Sequence, residues 1–175
     1  MKIGKIAIAI LGLILVIALI MYFTGPSEVY MERKITINAP VEKVYTKAAN
    51  MKEFNDWSPW YPKDPSAKYT YEGPDSGVDA RMNWESDSVN LGKGSMWTVE
   101  VKENELIDNR MDFGYGGEAH AKLLFEPKAG ATEVTWTYEE KPGAISKIMY
   151  NFMDLETMVG PDYEQGLTNL KKSVE

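Results

Sequence analysis

The chain has 175 residues, 44% hydrophobic and 26% charged, with a net charge of −7 and no cysteine. That size and composition fit one domain plus an extension, and exclude a disulfide framework, a thiol nucleophile and thiolate metal sites. With a single histidine and no basic run longer than Arg33-Lys34 or Lys171-Lys172, neither a multi-histidine metal site nor nucleic-acid binding is expected, and no cofactor is implied.

The first element is apolar. From Ile6 to Phe23 the sequence IAIAILGLILVIALIMYF carries no charge, and as a helix it extends roughly 27 Å, close to the thickness of a bilayer core. Lys2 and Lys5 precede it and Glu28 is the first charge after it. The positive-inside rule then predicts a cytoplasmic N-terminus and an extracytoplasmic domain. A cleaved signal peptide is the competing reading, but the exit Met21-Tyr22-Phe23-Thr24-Gly25-Pro26 lacks small residues at a cleavage site, and the apolar run is too long for one. A buried core helix fits less well, because the segment is apolar on every side. The expected organisation is an anchor over 1–25, a linker over 26–31 and one domain over 32–175.

Arg33 to Asn38 alternates polar and apolar residues and predicts a strand with Ile35 and Ile37 facing the core. Ala39-Pro40 opens a helix whose apolar positions Val41, Val44, Tyr45 and Ala48 fall at helical spacing, ending near Asn50. Phe54 to Pro65 is rich in proline and aromatics and predicts a short helix and a loop. A period of two then predicts six strands, at Lys68–Tyr71, Ala80–Glu85, Ser95–Lys102, Leu106–Phe113, Ala119–Glu126 and Glu133–Glu139. The gaps between them are short and turn-like, which makes the strands antiparallel hairpins with one wet and one dry face. After Pro142-Gly143, helical spacing resumes from Ile145 to Val174 and supplies a cover for the dry face, with a kink expected at Gly160-Pro161.

This order, with Ile37-Asn38-Ala39-Pro40-Val41-Glu42-Lys43-Val44, Trp57-Ser58-Pro59-Trp60, Gly92-Lys93-Gly94-Ser95-Met96, Thr135-Trp136-Thr137-Tyr138 and Gly160-Pro161-Asp162-Tyr163, resembles the SRPBCC (START / Bet v 1-like) superfamily. Within it, the chain looks like the membrane-tethered bacterial proteins labelled polyketide cyclase/dehydrase-like. The resemblance implies an α+β helix-grip fold: a curved seven-stranded antiparallel sheet around a long C-terminal helix, with an apolar cavity between them. It also implies a bacterial envelope location.

The aromatic and methionine content supplies candidate cavity residues: Trp57, Trp60, Met82, Trp84, Phe113, Trp136, Met149 and Met153. Rigid plates and adaptable thioethers suit an apolar ligand, although such residues also fill ordinary cores. His120, between Ala119 and Ala121 and on a face with Lys122 and Glu126, is expected to point to water. Asp108, Arg110 and Asp112 share a face opposite Met111 and Phe113 and read as a solvated ladder. Arg110, Asp112 and His120 become catalytic candidates only if they enter the cavity. Gly92-Lys93-Gly94-Ser95 and Gly114-Tyr115-Gly116-Gly117 read as hairpin turns, not phosphate loops, and Glu139-Glu140 as carboxylates on opposite faces of a strand.

Three functions compete. The leading one is a membrane-tethered module that binds a hydrophobic or lipid-like small molecule. The second is a cyclase or dehydratase acting in the same cavity, as the resemblance implies. The third is a ligand-free interaction domain docking an envelope partner through the Trp57 to Tyr61 loop. A deep closed cavity without convergent ionisable groups favours the first, one with Arg110, Asp112 or His120 inside the second, and a filled core the third.

Overall fold

The period-two segments become seven antiparallel strands in the computed structural model, which describes residues 2–88, 91–114 and 117–175. They are β1 (Val29–Ile37), β2 (Lys68–Glu72), β3 (Arg81–Glu85), β4 (Lys93–Lys102), β5 (Leu106–Asp112), β6 (Gly117–Lys128) and β7 (Ala131–Pro142). The sheet order is β1-β7-β6-β5-β4-β3-β2. Consecutive strands from β2 to β7 are hairpin neighbours, and β1 closes the far edge by pairing with β7. Gly130, at φ 77°, supplies the left-handed residue of the β6–β7 hairpin. Tyr115 and Gly116, in the turn expected between β5 and β6, lie outside the described residues.

Alternation decides which side is dry. On β7, Thr132, Val134, Trp136, Tyr138, Glu140 and Pro142 are buried, while Glu133, Thr135 and Glu139 are only partly covered. On β1, Met31 and Ile37 are buried on the same side. β1 begins at Val29, inside the stretch read as linker, because Val29 to Glu32 pair with Glu140 to Thr137.

Between β1 and β2 lie α2 (Val41–Ala49), with Pro40 at its N-cap and Asn50 at its C-cap, and the short α3 (Phe54–Trp57). Val44, Ala48, Phe54 and Trp57 from this crossover are buried in the core.

The cover is two helices, α4 (Ala144–Met149) and α5 (Leu155–Val174). The interruption falls at 150–154 rather than at the expected Gly160-Pro161, and α5 runs on through Pro161. Asp154 sets the break by capping α5: its carboxylate accepts from the Glu156 amide at 3.2 Å and from the Thr157 hydroxyl at 2.6 Å. Gly160 has a different task from kinking the helix. A Cβ there would come within 2.3 Å of Arg33 Nη2, so its absence lets the guanidinium lie against the helix. Arg33 projects from β1 and pairs with Glu156 and Glu164, each at 2.7 Å. Further along, Tyr163, Leu167, Leu170 and Val174 form the buried stripe of α5 at helical spacing.

The N-terminal segment is α1 (Lys2–Thr24). It is long and apolar enough to cross a membrane, and it is not buried against the domain, which removes the core-helix reading. Only its C-terminal end touches the rest. Thr24 Oγ1 donates to Asn151 Oδ1 at 2.9 Å, Asn151 Nδ2 donates to the Met21 carbonyl at 2.9 Å, and Lys147 Nζ sits 5.1 Å from the centroid of the Tyr22 ring.

Candidate functional site

A cavity of about 350 Å³ separates the inner sheet face from α4 and the first half of α5. Side chains packed at ordinary interior density do not leave a space of this size, and it is partly open to the outside rather than sealed. The sheet contributes Met82, Met96 and Met111 to the wall, and the cover contributes Met149, Met153 and Met158. Unbranched thioethers on both sides make a surface that can repack around ligands of different shape.

Six of the sequence-derived cavity residues border this space: Trp60, Met82, Trp84, Phe113, Met149 and Met153. Trp84 is set by a close approach. Gly94 sits opposite it on β4, and a Cβ there would fall 2.5 Å from the indole and 2.6 Å from the Asp112 carbonyl oxygen. The other two candidates stand behind the wall. Trp57 is 0% exposed, its ring 4.8 Å from Phe54 and 5.2 Å from Trp136. Trp136 is stacked on Tyr163 at 4.1 Å, with Gly166 leaving room for it. Both pack the floor under the cavity rather than lining it, because α3 and α5 close over this end of the sheet. The Trp57 to Tyr61 loop is likewise folded inward, with only Tyr61 among its aromatics exposed.

The catalytic candidates Arg110, Asp112 and His120 do not converge. His120 and Arg110 lie on the outer face of the sheet, directly opposite each other in the β5–β6 pairing. His120 Nδ1 lies 2.7 Å from Asp108 Oδ1, and Nε2 lies 3.6 Å from Glu118 Oε1. Asp108 is therefore not solvated as the ladder reading expected: it is 7% exposed beneath the imidazole. Asp112 touches the cavity rim, but its carboxylate is spent locally, accepting from the Gly114 amide at 2.7 Å. Among the described residues no cluster of acidic or histidine side chains is arranged to hold a metal ion.

The group that does enter the cavity is Glu140. It is 8% exposed, and its Oε2 accepts hydrogen bonds from the hydroxyl of Tyr138, at 2.8 Å, and from the hydroxyl of Tyr150. Both donors use the same oxygen, and Oε1 has no hydrogen-bond partner among the described residues. Burial, reinforced by the neighbouring carboxylate, raises both tyrosines well above the usual phenol range, so they are neutral donors at physiological pH. The cavity thus has a long apolar wall and one buried carboxyl group with an open acceptor oxygen. The alternation that turns Trp136 inward also turns Tyr138 and Glu140 inward, so two of the three members of this cluster are legible in the sequence. Tyr150 is not, since it lies between the apolar positions Met149 and Phe152, in the turn that follows α4.

A curved antiparallel sheet gripping a C-terminal helix over a cavity defines the helix-grip class, the SRPBCC or Bet v 1-like superfamily. Residues 28–175 match the family described as polyketide cyclase / dehydrase and lipid transport, and the chain belongs to that family. No curated protein sequence matches the chain. Among solved structures, a protein of Chromobacterium violaceum is 18% identical with a TM-score of 0.59, covering 86% of this chain and 99% of its own. Norcoclaurine synthase from Thalictrum flavum, solved in complex with dopamine and hydroxybenzaldehyde, is 16% identical with a TM-score of 0.61, covering 89% of this chain and 90% of its own. The Aha1 dimer from Colwellia psychrerythraea is 15% identical with a TM-score of 0.59, covering 84% and 96%. At these identities the likeness is one of fold.

Proposed function

We propose that the protein is a membrane-tethered receptor or carrier for a hydrophobic small molecule whose one polar end donates hydrogen bonds or carries positive charge. The observation that carries this reading is the pairing of a cavity of about 350 Å³, walled by methionines and aromatics, with a single interior carboxylate, Glu140. An apolar body fills the space and is driven there by burial. The polar end meets Glu140 Oε1, the oxygen that the two tyrosines leave open. A ligand ending in a carboxylate offers that oxygen no hydrogen-bond donor, so alcohols and amines are favoured over acids of equal length. The fold relative solved with dopamine and hydroxybenzaldehyde supports the use of this architecture for small-molecule binding. The tether is α1, and Lys2 and Lys5 before it with Glu28 after it support a domain on the extracytoplasmic side.

Glu140 and its tyrosines also give the cyclase or dehydratase reading a group able to hold a proton inside the cavity. That reading requires conversion of the ligand as well as its capture.

The test is photolabelling of the full chain in phosphatidylcholine nanodiscs with a long-chain alcohol bearing a diazirine, followed by mapping of the adducts. Adducts are expected on cavity residues such as Met82, Met111 and Tyr138. Ala119 is buried on the cavity wall, opposite Glu140 in the β6–β7 pairing, and Ala119→Phe narrows the space beside Glu140 and cuts the adduct yield while the chain remains folded. Glu140→Gln weakens capture of the alcohol about tenfold or more, as expected for loss of a charged hydrogen bond, and erases its advantage over the fatty acid of equal length. Labelling that spreads over the surface and ignores both substitutions overturns the proposal.

A further inference from the structure

We infer that the cavity opens directly onto the bilayer, through a rim formed by α4 and the start of α5 that rests among the lipids beside α1. Ile145, Met149 and Phe152 fall at helical spacing along α4 and the turn after it, and are 55%, 40% and 73% exposed. Met158, on the first turn of α5, is 53% exposed. Met149 and Met158 also belong to the cavity wall, so this apolar surface is continuous with the cavity interior. An exposed apolar patch of this kind marks a contact surface.

The occupant follows from what the rim is attached to. Asn151, one residue before Phe152, binds the Met21 carbonyl and the Thr24 hydroxyl at the end of α1. Gly25 lies so close to α4 that a Cβ would fall 2.3 Å from the Lys147 carbonyl oxygen. Lys147 over the Tyr22 ring, at 5.1 Å, is the pairing of cation and aromatic expected at the headgroup level. Only Gly25 to Glu28 separate α1 from β1, a stretch that reaches at most about 17 Å even when fully extended. A domain held on so short a leash keeps this end at the surface that α1 enters. The β6–β7 hairpin is at the other end of the 12-residue β7, roughly 35 Å away along the strand. An apolar ligand would then pass between the acyl region and the cavity by way of Met149 and Met158, without crossing water.

This inference rests on the tether and cavity reading given above, and one set of labels separates their failures. The absence of cysteine allows single cysteines to be introduced by Phe152→Cys, Leu13→Cys and Ala129→Cys, each coupled to an environment-sensitive nitrobenzoxadiazole dye. The full chain is placed in phosphatidylcholine nanodiscs with and without brominated acyl chains. Expected are a blue-shifted emission with loss of intensity to brominated lipid at 13 and at 152, the latter quenched best by shallow bromines, and a water-like emission at 129. A quenched label at 13 with a water-like label at 152 overturns the bilayer portal alone and leaves the tethered cavity standing. A water-like label at 13 overturns the tether and the portal together. Equal quenching at 129 and 152 overturns the proposed orientation.

Discussion

Tyr138, Tyr150 and Tyr163 sit around the cavity with phenols that burial holds above their ordinary value of 10.0. For a group whose folded pKa is raised, the associated stability is fully present below the unfolded value and is lost as pH rises toward the folded one. Above about pH 10 the unfolded chain releases protons that the folded chain keeps, so the midpoint of urea denaturation, followed by circular dichroism in detergent, should fall steadily as pH rises from 10. Tyr138→Phe should flatten that slope even though it lowers stability at neutral pH by about 1 kcal/mol through the lost hydrogen bond. An alkaline slope unchanged by the substitution would show that this phenol is not shielded as described. The same scale explains why some site residues were legible and others were not. Trp60, Met82 and Trp84 have the size and flanking turns of a cavity wall. Trp57 and Trp136 have the same chemistry, yet the packing of α3 and α5 puts them behind it.

At the scale of elements, the grip of α5 depends on two glycines with different neighbours. Gly160 faces the mobile end of Arg33, whereas a Cβ at Gly166 would fall 2.7 Å from the Trp136 ring and 3.2 Å from Pro59. An alanine in a helix interior gains up to about 1 kcal/mol over glycine. Gly166→Ala should nonetheless destabilise by about 1 to 3 kcal/mol, the usual cost of overpacking, because a buried indole stacked on Tyr163 cannot swing away. Urea midpoints compare the variants, and Gly160→Ala should lose less than Gly166→Ala; the reverse order would contradict the packing described here. Arg33→Ala should lose about 1 kcal/mol, since its two carboxylate partners are well exposed and surface pairs contribute little. The strands, the capped α2 and the covering helix were legible because each carries its own period and turn chemistry. The division of α4 from α5 was not, because helical spacing runs on through Met149 and Phe152 and the break depends on the Asp154 cap.

For the whole molecule, the cavity, the Glu140 cluster inside it and the helix that meets its rim form one arrangement. β1 and β7, paired along their length, brace the end of the sheet where α1 arrives and where Glu140 meets Tyr150. The fold was within reach of the sequence, since hairpin spacing and the order of elements specify it, and the family was within reach through the resemblance of motifs such as Trp57-Ser58-Pro59-Trp60 and Gly160-Pro161-Asp162-Tyr163. The polar end of the cavity was not, because it is completed only when α4 folds over β7 and brings Tyr150 to Glu140. The measurement that bears most directly on the account is native mass spectrometry of the full chain released from its own membranes in a mild detergent, with extraction and identification of whatever travels with it. The account predicts one apolar molecule per chain, bearing a hydroxyl or amine, displaced in the Ala119→Phe variant. A chain that arrives empty and takes up no long-chain alcohol, or one whose ligand occupancy is unchanged when Ala119→Phe narrows the cavity beside Glu140, would contradict it.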